Sequence, residues 1–102
     1  MSAIGRNYFR TGDLEKTKTF LYALENEFFD QLGEYELMTL GHLYLCVNDK
    51  QNATAHYRNS YKRFEDKDEF LDEFEDDFKY IQVYGIEYTA YRQLKMELSL
   101  SK

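Results

Sequence analysis

Apolar positions recur along this chain every three or four residues and never hold a period of two, so the pattern predicts helices and no strand. Residues 2–11 carry Ile4, Tyr8 and Phe9 at helical spacing and end at Gly12, with Asp13 suited to cap the next helix. That second helix is predicted over 14–29, with Leu14, Phe20, Leu21, Leu24 and Phe28 on one stripe. Gly33 closes a short connection. The third helix, over 34–47, carries Leu37, Leu40, Gly41, Tyr44 and Leu45. Asn48-Asp49 reads as a helix-to-helix turn, the first residue suited to a left-handed stop and the second to a cap. The fourth helix, over 50–64, presents Ala53, Tyr57, Tyr61 and Phe64. The fifth, over 68–84, is capped by Asp66 or Asp68, presents Phe70, Phe74, Phe78 and Ile81, and ends at Gly85. The last, over 87–98, presents Tyr88, Tyr91, Leu94 and Leu98.

Composition narrows the function more than the fold. The 102 residues make one domain with no Pro to interrupt a helix, and 10 Tyr with 8 Phe supply a core of large rings. A net charge of −6 opposes binding to nucleic acid or to an anionic membrane surface. No apolar run reaches the length of a membrane span, and the first dozen residues lack a signal-peptide core. The single Cys forms no internal disulfide. A reducing cytoplasm is the expected location.

The chain also repeats itself. Gly5, Tyr8 and Gly12 are spaced like Gly41, Tyr44 and Asn48, thirty-six positions on. The same offset pairs Thr17 with Ala53 and Leu21 with Tyr57, so two similar hairpins follow one another. Over about 4–60 the chain resembles the tetratricopeptide repeat. Leu40-Gly41 is similar to that family's Leu-Gly pair, Tyr44 to its aromatic, Ala53 to its small residue and Tyr57 to the aromatic of its second helix. Leu37 stands at the family's Trp, Asn48 at its turn Gly, Ser60 at its second small residue and Glu65 at its Pro. Gly41 and Ala53 have a packing reason to be small, since two helices approach there, and the two tyrosines fill the space beside that contact.

The resemblance implies an all-α fold of about six helices, in antiparallel hairpins stacked as a short right-handed superhelix. Residues 1–32 would form the first hairpin and 33–65 the second, with 66–99 a degenerate repeat or C-terminal cap. It also implies a protein–protein interaction module with a concave groove for a peptide or partner protein, without catalysis. By register the groove would be lined by Arg6, Phe9 and Arg10, then by Tyr35, Met38, His42, Leu45 and Cys46. Arg6 and Arg10 could fork onto carboxylates of a peptide, or lie solvated, or pair with a neighbouring helix. The Lys and Asn set of chaperone-binding members is not reproduced. With so few repeats, a structural role is the alternative. The groove would then be filled by the C-terminal helix or by a second copy, as a homodimer or as a piece of a larger array.

Other chemistry is thin. His42 and Cys46 have metal-ligand spacing but too few companions, so neither metal nor cofactor is expected. Residues 65–77 are dense in carboxylates without the glycine turn of a calcium loop, and read as the wet face of a helix whose Phe side chains point inward. Asn52-Ala53-Thr54 matches a glycosylation pattern by coincidence. No nucleophile stands in a recognised arrangement with a base.

Overall fold

The computed structural model describes residues 14–28 and 32–100, with the backbone alone at 14, 17, 20, 21, 24, 27 and 28. All regular structure among the described residues is helical. The helices are α1 (Leu14–Phe28), α2 (Glu34–Cys46), α3 (Lys50–Arg63), α4 (Lys67–Asp76), α5 (Phe78–Ile81), which tightens into a 3₁₀ turn at Gln82–Tyr84, and α6 (Tyr88–Leu100). The helix over 2–11, the Gly12-Asp13 turn, and the side chains of the stripe expected on the second helix lie outside the described residues.

The α2–α3 hairpin is built from local instructions. Asn48 takes the left-handed conformation, φ 65°, that stops α2, a turn that Asn accepts more readily than most residues. The Asp49 carboxylate then accepts the Asn52 backbone N–H at 3.2 Å and its side-chain amide at 2.7 Å, capping α3. Where the helices cross, Gly41 is required. A Cβ there would lie 2.9 Å from Tyr57 Cγ and closer still to Cδ1 and Cε1 of that ring. Ala53 is fully buried, and the Ser60 hydroxyl donates to the Glu34 carbonyl at 2.6 Å across the mouth of the hairpin.

The second half closes over this hairpin. The Asp66 carboxylate caps α4 through the Asp68 and Glu69 amides. Lys67 ties the connection down by donating to the Phe64 carbonyl at 2.8 Å and to that of Tyr61. Phe70 and Phe74 of α4 point inward and meet Tyr57, Phe64 and Met38 of the hairpin and Tyr91, Leu94 and Leu98 of α6 in one cluster. Phe74 stacks on Tyr91 with centroids 4.2 Å apart and meets Tyr57 edge-on at 5.0 Å. Each such ring removed from water contributes roughly 1.5–3 kcal/mol. Leu32, Leu37, Leu40 and Leu43 form a second cluster on the side of α2 that meets Tyr22 of α1. Helix α2 is therefore enclosed: its residues from Leu37 to Leu43 are all buried.

Two expectations need correction. The helix expected over 68–84 is interrupted at Asp77, whose backbone stays right-handed helical and whose side chain is buried, and Phe78–Ile81 resumes for one turn. Gly85, at φ 89°, ends the segment as expected. The spacing puts Tyr88 on the inner stripe of the last helix, yet it is 44% exposed; Tyr91, Leu94 and Leu98 are the residues of α6 that point in. The described residues build one close hairpin with a helical lid, and the stacking expected of a first hairpin on the second rests on residues outside them.

Candidate functional site

The face of α2 nominated for the groove is the most informative place in the molecule. Met38 and His42 are interior, each 1% exposed. Leu45 and Cys46 are half-buried against the same cluster, and Tyr35 donates its hydroxyl to Glu69 of α4. Phe70 and Phe74 of α4 and Tyr91, Leu94 and Leu98 of α6 share one buried cluster with Met38. The physical reason is the aromatic stripe of α4, which buries itself against the nearest apolar face, and that face belongs to α2. Arg6, Phe9 and Arg10 lie outside the described residues, as do Gly5, Tyr8 and Gly12.

Buried imidazoles need partners, and His42 has two. Its Nδ1 lies 2.7 Å from the Tyr57 hydroxyl and its Nε2 lies 3.0 Å from Asp77 Oδ2. A carboxylate only accepts, so Nε2 carries the proton and donates to Asp77. In the neutral imidazole of that tautomer, Nδ1 is the acceptor and the Tyr57 hydroxyl donates to it. One line of polar atoms thus runs from α3 through α2 to the junction of α4 and α5. Rings seal it: His42 lies 6.0 Å from Phe74 and 6.2 Å from Tyr91. Burial, with the nearby Cys46 and Asp77, holds the Tyr57 hydroxyl proton well beyond the usual phenol range. A Tyr–His–Asp line of this order could in principle pass a proton. His42 and Tyr57 are closed to solvent, and the Asp77 side chain keeps 10% of its surface exposed.

A second polar group joins α1 to the hairpin. The Tyr44 hydroxyl donates to Glu25 at 2.7 Å, the ring of Tyr44 stacks on His56 at 5.2 Å, and His56 Nε2 sits 3.0 Å from the other Glu25 oxygen. Burial first, then the bond to Glu25, raises the Tyr44 phenol above its ordinary value. Burial alone pushes the Cys46 thiol up to about 12, which leaves it protonated and unreactive near neutrality. Among the described residues no three His, Cys, Asp or Glu side chains converge as metal ligands. No helix among them is long and apolar enough to cross a membrane.

No family model, characterised protein or solved structure matches this chain. What it can do is therefore read from its own geometry.

The residues expected to carry the repeat lie where close packing uses them. Gly41, Ala53 and Tyr57 are buried at the α2–α3 crossing, Leu40 is buried in the cluster that meets Tyr22 of α1, and Tyr44 is half-buried. The acidic run behaves as expected in outline: Asp68, Glu69, Asp72 and Asp76 are exposed while Phe70 and Phe74 are fully buried. Asp77 is the exception. It reads in the sequence as part of the solvated face, and no local signal separates it from its neighbours, since its partner lies thirty-five positions away. The Glu25–Tyr44–His56 group is hidden from sequence reading for the same reason.

Proposed function

We propose that this chain is a non-catalytic protein–protein interaction unit of tetratricopeptide type, whose second-repeat groove is filled from within by its own C-terminal helices. One observation carries the reading: α4 and α6 bury Met38 and His42 at the crossing where Gly41 meets Tyr57. An apolar face covered in this way stabilises the fold and leaves recognition to surfaces still open. Absence of catalysis is supported by the burial of His42 and Tyr57. The register of Gly5, Tyr8 and Gly12 supports a first hairpin stacked on the second in a right-handed sense, with Arg6, Phe9 and Arg10 as its share of the groove. The reducing cytoplasm, where the single thiol stays free, is part of the same proposal.

Selection of displayed random peptides on the immobilised chain tests it. Enrichment of peptides that the folded chain binds in solution is the expected result, and if the partner sits beside the first repeat, the R6A/R10A double variant loses them. A selection that enriches nothing beyond background would overturn the interaction reading. The structural alternative, self-assembly, is favoured by the exposure of Val83, Tyr88, Met96 and Leu100. Sedimentation at micromolar concentration separates the two, because a self-assembling unit travels as a dimer or larger.

A further inference from the structure

Helix α6 is apolar on two sides, and only one of them is used by the fold. Tyr91, Leu94 and Leu98 are buried. On the other side Tyr88, Met96 and Leu100 are 44%, 57% and 78% exposed. Together with Arg92 they follow one another at steps of four, which places them in one row along the helix. Beside the row runs an open groove of about 510 Å³ whose lining includes Leu71 and Glu75 of α4 and Tyr88, Arg92, Lys95 and Met96 of α6.

The charges in this groove differ from those of the chain as a whole. In a molecule of net charge −6, the row carries a guanidinium between apolar side chains, with Lys95 beside it. Lys95 is shared with Glu75 at 3.7 Å, and Glu75 also accepts the Tyr88 hydroxyl. Arg92 is exposed and takes part in no ion pair among the described residues. An apolar row interrupted by a cation that makes no ion pair among the described residues is the complement of a helix with a carboxylate set between two apolar residues.

We infer that the outer face of α6 and the groove against α4 dock an amphipathic helix from another protein, presenting a carboxylate to Arg92 and apolar side chains to Tyr88 and Met96. This rests on the interaction reading above and names its surface and partner chemistry. A second copy of this chain fits less well. The row is centred near residue 94, so a two-fold pairing of α6 helices would bring both sets of Arg92 and Lys95 together at the axis, where like charges oppose each other. The exposed Asp72 and Asp76, next along α4, favour a partner helix that is otherwise neutral or basic.

The test uses a stapled, fluorescein-labelled helical peptide of about eighteen residues, long enough to hold a helix. It carries Leu, Glu and Leu at four-residue steps on one face and neutral or Lys residues elsewhere; its twin has Lys in place of the Glu. Anisotropy on the full chain is expected to show the Glu peptide bound at least about tenfold more tightly than the twin, a difference of roughly 1.4 kcal/mol. R92E is expected to reverse that preference and M96E to abolish binding of both. Both positions are exposed, so circular dichroism should be unchanged. Binding of neither peptide, or binding indifferent to R92E, would overturn the inference, as would a dimer of the chain that R92E or M96E dissociates. Peptides enriched by display that bind the R92E/M96E chain equally well would also overturn it, while leaving the interaction reading standing.

Discussion

The hairpin α2–α3 and the lid made by α4 and α6 are held by different kinds of instruction. The hairpin is specified at short range: a left-handed Asn48, a capping Asp49, and a glycine that lets Tyr57 lie against the backbone of α2. The lid is specified at long range, by the rings of Phe70 and Phe74 and by one carboxylate, Asp77, that finds an imidazole on α2. The lesson is that a close hairpin can be recognised from its own residues, whereas what covers its open face depends on a later segment.

Breaking the lid is expected to have the largest effect. Phe74→Ala removes a fully buried ring that stacks on Tyr91 and meets Tyr57 and His42, and should cost about 3–5 kcal/mol in urea unfolding followed by circular dichroism. A cost under 1 kcal/mol would mean that the lid is not docked as described.

Breaking the hairpin comes next, and two glycines separate the local effect from mere loss of flexibility. Gly41→Ala forces a methyl group into the Tyr57 ring and should cost about 1–3 kcal/mol or more. Gly33→Ala meets only the flexible end of the Glu36 side chain, at 3.2 Å, and should change stability by less than about 0.5 kcal/mol. Equal costs at the two sites would remove the special role of the Gly41 crossing.

The smallest expected effect is on alkaline stability, and its sign follows from two protons held more tightly in the folded state. The Cys46 thiol is pushed up to about 12 by burial, and the Tyr35 phenol to about 12, chiefly by the bond it donates to Glu69. Their ordinary values are 9.0 and 10.0. A raised value in the folded state means that the stability these groups supply is whole below pH 9 and falls as the pH climbs from there toward about 12. The urea midpoint should therefore drop between pH 8.5 and 11, and iodoacetamide at pH 8 should modify Cys46 at least about tenfold more slowly in the folded than in the unfolded chain. Equal rates would place the thiol at the surface.

Much of this architecture is legible in the sequence, for reasons that can be named. The cap at Asp49, the turn at Asn48, the stop at Gly85 and the inward stripe of Phe70 and Phe74 are local signals with one physical solution, while the next cap is open in the sequence between Asp66 and Asp68 and is taken by Asp66. The break at Asp77 is not legible. A carboxylate in a run of carboxylates reads as solvated, and only the position of His42 in space turns it inward. Tyr88 shows the opposite case: its spacing fits the inner stripe of α6, but a phenol with a hydroxyl can lie at the rim, and there it donates to Glu75. Sequence register puts Met38 and His42 on an open groove because the family it resembles leaves that face for a partner. The aromatic stripe of the chain's own later helix competes for the same face.

The central claim is that the lid and the hairpin are joined through the interior, and a double-mutant cycle on His42 and Asp77 tests it most directly. H42A, D77A and the double variant would be compared by urea unfolding. The expected result is that each single change costs about 2–4 kcal/mol, while the double costs clearly less than their sum, with a coupling of about 1–3 kcal/mol. Additive costs, with a coupling within about 0.3 kcal/mol of zero, would contradict the account, because the two side chains would then be acting apart.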